Sequence, residues 1–467
     1  MSFTAIDGTI NPHLVADYLP QPQIVVYNCN LYAVLGDPRT FPHSPFSALL
    51  YKSSNGITWT LLDEAHSPPF AQGDGNPQMN LTVHGTSLET LGGTTFPDTF
   101  DPNSNMKTVS FDPSSGLWGS TTRLVIVQGN TNDFLSVARS FASYRPDGSY
   151  IIASQYLSGP AEVIIKKRTV GGSWSTLAIL TDAGPIGLLL QSGLIDSTGI
   201  IYLLLMTADA DTGEATLWCV TVSTGDIVGP LLAVEANITS NSQGLNGGNV
   251  SGFGDIDPIS GDLCFVFINS ISDFFHGYGN IRLARATPGL SPSWSVETVC
   301  TNAPSASYPN PQLGVAFLGS TINVYFTRPT ASDPNLGTDA RFYQVVKSAG
   351  IWGSPTLLYT DTRGANGQLN IIRYNNQIGL LISTQGKGVL FQGTSDICGA
   401  TPLNVSIGDS FSLSDSGAPL ESLLVVAQPF FPSDCGKGNL IVEADDIIVN
   451  PGLGPGCGGG AVIVEAD

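Results

Sequence analysis

The stretch "YKSSNGITWTLL", Tyr51–Leu62, sets a Ser-Asn-Gly turn between two short apolar runs and carries a tryptophan just after the turn. Gly supplies a positive φ and Asn or Ser caps turn amides, so the segment reads as a tight β-hairpin. The pattern returns as "SSGLWGS" (Trp118), "VGGSWST" (Trp174), "GLSPSWSV" (Trp294) and "SAGIWGS" (Trp352), each after a run such as "MKTVSF", "AEVIIKK", "NIRLARA" or "RFYQVV". The gap from Trp174 to Trp294 is double the others, and "STGDIVGPLLAV" fills it with Val228 in the tryptophan's place. Repetition at this period marks a repeat fold, here with six outer hairpins.

A second hairpin type precedes each of these. Its members are "VVYNCNLYAVL", "LTVHGTSLETL", "SYRPDGSYIIA", "LIDSTGIIYLL", "DIDPISGDLCFVF", "AFLGSTINVYF" and "IIRYNNQIGLLIS". Two hairpins per unit give four antiparallel strands, and such units stacked face to face in a ring form an all-β β-propeller. Seven inner hairpins stand against six outer ones. "GVLFQG" supplies a third strand to the last unit, and the fourth comes from "SFTAIDGTI" at the N-terminus or from "LNVSIGD". An N-terminal strand there closes the ring and leaves no open edge. The expectation is seven four-stranded blades over residues 21–394, with six as the alternative, and residues 1–20 closing the ring. In each blade the outer tryptophan acts as a wedge between neighbouring sheets, burying on the order of 200 Å².

The turn itself, Ser53, Asn55, Gly56, Thr58 and Trp59, resembles the Asp-box, the Ser-x-Asp-x-Gly-x-Thr-Trp hairpin of sialidases and other propellers, with Asn in place of Asp. In that family the Asn or Asp caps amides, Thr bonds back across the turn, and the box lies on the outer rim away from catalysis. The resemblance implies a candidate sialidase-like glycoside hydrolase or carbohydrate-binding propeller. Such a site uses three arginines around a carboxylate, a Tyr–Glu pair and an Asp acid/base at the centre of the ring. Arg39 in "GDPRTFP" occupies the first blade, where an early arginine is expected, but the family's Arg-Ile-Pro pattern is absent; Arg285, Arg328 and Arg341 are further candidates without a motif.

Composition narrows the partners. The chain has 467 residues, 12% of them charged, with 53 Gly, 31 Pro and a net charge of −20. That charge repels phosphate backbones and anionic membrane surfaces, so neither nucleic acid nor membrane is an expected partner. No apolar run is long enough to span a bilayer and no secretion signal is visible. The five histidines never fall at ligand spacing, and "DADTGE" and "DIDPISGD" lack the full calcium-loop pattern; no metal and no cofactor are expected. Cys29, Cys219, Cys264 and Cys300 lie in apolar strand-like runs and read as buried free thiols.

The insertions "GDPRTFPHSPFSA", "GGTTFPDTFDPNSNM", "NSISDFFHGYGN" and "TRPTASDPNLGTDA" join second to third strands and so gather on one face of the ring. They carry Phe41, Phe46, Phe96, Phe100, Phe274, Phe275 and Tyr278, aromatics suited to glycan or protein contact.

Beyond residue 395 the rhythm changes. Residues 395–432 read as a β-rich strap or appendage, and residues 433–467 hold a tandem repeat, "CGKGNLIVEAD" from Cys435 and "CGGGAVIVEAD" from Cys457. Leu440, Ile441 and Val442 in the first copy and Val462, Ile463 and Val464 in the second form short strands expected to dock on neighbouring subunits by strand addition. Low charge, abundant Gly, Ser, Thr and Asn, a propeller body and a strand anchor resemble the style of bacteriophage virion proteins. That resemblance implies a non-enzymatic capsid decoration, spike or tail component in an oligomeric assembly, touching neighbouring virion proteins and host glycans.

Overall fold

The computed structural model describes residues 3–6, 23–36, 48–62, 79–93, 106–119, 122–124, 136–157, 161–181, 187–208, 214–239, 254–271, 278–304, 313–329, 340–361, 367–374, 377–384, 388–392, 397, 440–443 and 462–465. The chain forms two compact units, Met1–Gly399 and Ala400–Asp467. The first is an all-β propeller of seven blades.

A two-residue strand, β1 (Thr4–Ala5), begins the chain. Blade 1 follows with β2 (Gln23–Tyr27), β3 (Asn30–Gly36), β4 (Ala48–Ser53) and β5 (Thr60–Leu61). Blade 2 has β6 (Met79–His84), β7 (Ser87–Gly93) and β8 (Met106–Asp112), with β9 (Leu117–Trp118) and β10 (Thr122–Leu124) sharing its outer edge. Blade 3 comprises β11 (Ser136–Tyr144), β12 (Tyr150–Leu157), β13 (Ala161–Arg168) and β14 (Trp174–Leu180). Blade 4 comprises β15 (Leu188–Ile195), β16 (Ile201–Ala208), β17 (Glu214–Val222) and β18 (Leu232–Thr239). Blade 5 comprises β19 (Gly254–Ile256), β20 (Leu263–Ile271), β21 (Tyr278–Ala286) and β22 (Ser295–Pro304). Blade 6 has β23 (Leu313–Leu318), β24 (Thr321–Pro329) and β25 (Ala340–Ser348), with β26 (Ile351–Trp352) and β27 (Thr356–Asp361) outside them. Blade 7 has β28 (Gly367–Tyr374), β29 (Gln377–Thr384) and β30 (Gly388–Gln392), and its fourth strand is β1, paired antiparallel with Thr4 opposite Phe391. Residues 403–409, the other candidate for that strand, lie outside the described residues.

Apolar clusters fill the blade interfaces. Tyr32, Val34 and Leu50 of blade 1 meet Leu81, Leu88 and Phe111 of blade 2. Tyr202 and Leu204 meet Phe265 and Phe267 between blades 4 and 5, and Tyr325 and Phe342 meet Leu369 and Ile382 between blades 6 and 7. Each such side chain, fully buried, contributes about 1.5–3 kcal/mol. The period-2 alternation of the strands is what presents one apolar row to each neighbour.

The wedge tryptophans sit where expected. Trp59, Trp118, Trp174, Trp294 and Trp352 each pack on a cluster shared with the preceding blade. In blade 4, Val228 bridges Val222 and joins the cluster shared with blade 3. At the seventh interface the part falls to Phe3, just before β1, whose ring centroid lies 5.1 Å from that of Tyr359.

The Asn55 turn is held by its side chains. The Ser53 hydroxyl accepts the Gly56 N–H at 2.9 Å, while Asn55 Oδ1 accepts the N–H groups of Ile57 at 2.9 Å and Thr58 at 2.8 Å. Gly56 has φ 66°, a left-handed conformation natural to glycine. Thr58 takes part through its backbone N–H, which donates to Asn55, and the Ser53 hydroxyl donates to Asn55 Oδ1 at 3.2 Å.

Cys29 departs from its sequence reading. It occupies an exposed hairpin turn beside Asn28, both at positive φ (58° and 48°), and is disulfide-bonded rather than a buried free thiol. The apolar flanks belong to β2 and β3, and the turn between them carries the sulfur outward. Cys219 and Cys264 are free thiols, and burial pushes both up to about 12.

Candidate functional site

Antiparallel order gives the ring two unlike ends. At one end lie the turns from first to second and from third to fourth strand of each blade. At the other lie the connections from second to third strand and from blade to blade. The described turns of the first end are short and closed by their own hydrogen bonds, as at Arg145–Ser149, Asp196–Ile200 and Ser223–Ile227. Asp196 illustrates the chemistry: its Oδ1 accepts the N–H groups of Thr198 and Ile200, and its Oδ2 accepts the hydroxyl of buried Tyr202 at 2.9 Å. The tips of the outer turns are aliphatic and exposed: Ile57 56%, Leu117 66%, Val170 69%, Ile227 73%, Leu290 54% and Ile351 74%.

Charged groups at this turn end clamp one blade to the next. Arg145, from the blade 3 turn, donates to Asp226 of blade 4 at 2.6 Å and to the Ser223 carbonyl at 2.7 Å, and Lys167 reaches the other Asp226 oxygen at 2.7 Å. Burial works against the charge on Asp226, but Lys167 and Arg145 outweigh it and hold the carboxyl below its ordinary value. Lys347 of blade 6 donates to both oxygens of Glu297 in blade 5 at 2.6 Å. Near the ring axis, Asp255 of β19 accepts the Phe317 N–H of β23 at 3.1 Å and lies 3.7 Å from Arg373 of β28. Burial raises the Asp255 carboxyl, and the distant Arg373 only partly opposes it.

One group bears directly on the glycosidase expectation, because it brings a Tyr, a Glu and an Arg together between blades 2 and 3. The Tyr144 hydroxyl donates to Glu89, and Arg168 donates to the two Glu89 oxygens at 2.9 and 2.7 Å and to the Tyr144 oxygen at 2.6 Å. Tyr144 is stacked on both faces, against His84 at 3.8 Å and Tyr150 at 4.3 Å. The Arg168 guanidinium lies 5.1 Å from the Tyr150 ring centre and 5.3 Å from that of Trp174. Burial first, and then the Glu89 charge, raise the Tyr144 phenol well above its ordinary value of 10.0. The Tyr144 hydroxyl is thus a hydrogen-bond donor to Glu89, and stacked rings cover both faces of its own ring. The group stands at the turn end, where it ties β7 to β11 and β13. No spacing announces it in sequence: Glu89 and Arg168 are 79 residues apart.

The connection end is different. The connections at residues 37–47, 94–105, 209–213, 272–277 and 330–339 all start from a second strand and return to a third, and those at 63–78, 125–135, 240–253 and 305–312 pass between blades. Strand ends here carry buried polar groups. Gln155 of β12, 1% exposed, accepts the Leu190 N–H of β15 at 3.0 Å, beside a register shift in β15 between Leu190 and Ser192. That shift is a bulge of the kind that collects at barrel and ring rims near binding sites. The Gln155 Nε2 meets no acceptor among the described residues.

Among the expected site residues, Arg39, Phe41, Phe46, Phe96, Phe100, Phe274 and Phe275 lie outside the described residues. Tyr278 opens β21, paired opposite Ile271 and Pro304, at the connection end. Of the expected arginines, Arg285 is committed to Asp257, Asp262 and Ser260 at the turn end, Arg341 lies on β25 opposite Arg328 of β24, and the three are not gathered at one centre. Among the described residues no cluster of three or more His, Cys, Asp or Glu is placed to hold a metal ion, and no helix is long and apolar enough to cross a membrane. In the tail, Cys435 and Cys457 lie outside the described residues. The two repeat strands, β31 (Leu440–Glu443) and β32 (Val462–Glu465), pair with each other in parallel.

No family model and no curated protein matches the sequence. Solved structures do match in fold. One is a polysaccharide lyase, a PL25 ulvan lyase bound to -[GlcA(1-4)Rha3S]-, with TM-score 0.51 at 11% identity, covering 83% of this chain and 96% of that one. The polysaccharide lyase Uly1 gives 0.49 at 11% identity over 85% and 92%, and the endosialidase of phage phi92 gives 0.47 at 11% identity over 85% and 69%. The chain is a seven-bladed β-propeller whose fold is similar, at a distance, to that of the PL25 ulvan lyase.

Proposed function

We propose that the protein is a carbohydrate-binding propeller that takes a polysaccharide across its connection end. The observation that supports this reading is the division of the ring. One end is built of short turns, aliphatic tips and closed ion pairs, while the long connections, with Phe41, Phe46, Phe96, Phe100, Phe274 and Phe275, leave from the other, where Tyr278 opens β21. Aromatic side chains on loops carried by a rigid scaffold suit the apolar faces of sugar rings. The described Tyr–Glu–Arg group is a blade clamp in this reading, so binding is assigned without a catalytic set.

The test is affinity electrophoresis and calorimetry against a panel of neutral, sulfated, uronate-containing and sialylated polysaccharides. A polysaccharide of the panel is expected to bind, with affinity lowered at least about tenfold by Phe41→Ala with Phe46→Ala or by Phe96→Ala with Phe100→Ala. Leu117→Ser, at the other end, leaves binding unchanged. Failure to bind any member, or equal loss from Leu117→Ser, overturns the reading. Assaying the same panel for new reducing ends and for unsaturated uronate products asks separately whether bound chains are hydrolysed or eliminated.

A further inference from the structure

The pairing of the two tail strands points to a surface that the carbohydrate reading does not use. β31 and β32 run parallel in unshifted register: Leu440 opposite Val462, Ile441 opposite Ile463, Val442 opposite Val464 and Glu443 opposite Glu465. The repeat of the sequence and the repeat of the sheet therefore coincide, and one translation carries the first copy onto the second. In a parallel ladder each strand spends one edge on its neighbour and leaves the other. Among the described residues β31 and β32 form a sheet of two strands only, so the outer edge of each is unpaired.

The same translation that maps β31 onto β32 places a third, identical strand beyond either edge. The motif occurs twice in the sequence. The geometry points to the repeat strands of a second copy of this chain as that next strand, so that the β31 edge of one molecule receives the β32 edge of another. The occupant is identified by self-complementarity: the sheet already accepts this sequence, in this direction and in this register. Two four-residue strands alone are marginal in water, and added strands with the same apolar core, Leu-Ile-Val or Val-Ile-Val, relieve that. The contact is head-to-tail, using unlike edges, and therefore grows into a closed ring or an open stack instead of stopping at a two-fold dimer. Glu443 and Glu465 share one register position, so every strand added brings another like charge into line, and association strengthens with added salt.

Light scattering after size exclusion tests this on the full-length chain in reductant, over a range of protein and salt concentrations. The expected result is a mass of at least twice the 48.9 kDa of one chain, rising with protein and salt. Val442→Pro with Val464→Pro removes ladder donors and returns the mass to one chain, while the near-ultraviolet dichroism and melting of the propeller stay unchanged. Glu443→Gln with Glu465→Gln acts in the opposite direction, giving association at lower salt. A single-chain mass under all conditions overturns the proposal. So does an assembly that survives the proline pair, which instead assigns contact to another surface such as the aliphatic tips at the turn end. Polysaccharide binding plays no part in these readouts, so either proposal fails without the other.

Discussion

Trp294 lies against Phe265 with ring centroids 5.6 Å apart. Its indole N–H, like those of Trp59, Trp118, Trp174 and Trp352, meets no acceptor among the described residues. Five equivalent rings share this property, so the wedge works by area and shape, not by its polar handle. The consequence is a measurable contrast in urea unfolding. Trp294→Phe, which keeps an aromatic plate and orphans nothing, is expected to cost less than about 1.5 kcal/mol, whereas Trp294→Ala leaves a void and costs about 3–5 kcal/mol. Equal losses from the two substitutions would mean that the N–H has a partner after all. Asn55 belongs to the same scale. One side-chain oxygen satisfies two turn amides, which an Asp would also do, and the departure from the Asp-box pattern therefore changes a charge and not a geometry.

At the scale of elements, hydrophobic wedges and ionic clamps divide the labour between blades. The Asp226 clamp has a definite pH signature. Its carboxyl titrates lower in the folded ring than in the open chain, so the clamp stabilises fully above the unfolded value of about 3.9 and is lost as pH falls through the folded value. Unfolding midpoints measured from pH 7 downward should drop on the acid side, and Asp226→Asn should flatten that part of the profile while lowering stability at pH 7. A variant profile parallel to the wild type would remove Asp226 from the account. Elements are also where the sequence was most legible. Hairpins announce themselves through local turn chemistry, and tryptophans at a regular period report which hairpin is outermost. The clamps were not legible, because their members come from different blades; Arg145 and Asp226 are 81 residues apart and neither sits in a motif. Cys29 misled for a related reason, since its apolar flanks describe the strands and say nothing of the exposed turn that joins them. Strand order shows in sequence that the aromatic-bearing connections leave from one end of the blades, but what they bind is a property of three-dimensional grouping that strand periodicity does not encode.

For the whole molecule, closure decides the architecture. Seven blades leave the last sheet one strand short, and Thr4–Ala5 completes it beside β30, while Phe3 occupies the interface that a tryptophan fills elsewhere. A lone phenylalanine at the other end of the chain carries no periodic signal, which is why this seventh wedge escapes a reading by repeats. Phe3→Ala is expected to lower the stability of the ring by about 2 kcal/mol, less than a fully buried phenylalanine would, and Phe3→Trp should be close to neutral because the site already serves as a wedge. Differential scanning calorimetry checks both; no effect from the alanine would show that the ring closes without it.

The same closure imposes an order in time. Thr4 leaves the ribosome before every blade and its partner Phe391 after nearly all of them, so the strand waits while the propeller is made, roughly 20–80 s at typical ribosomal rates. Six blades can condense on their neighbours as they emerge, but the final sheet cannot form until the two ends of the propeller meet. During that interval β1 is a strand without its partner, open to pairing with a neighbouring nascent chain. The hazard of this protein is therefore chronological: its finished ring is sealed, and the moment before sealing is when it is most exposed to misassembly.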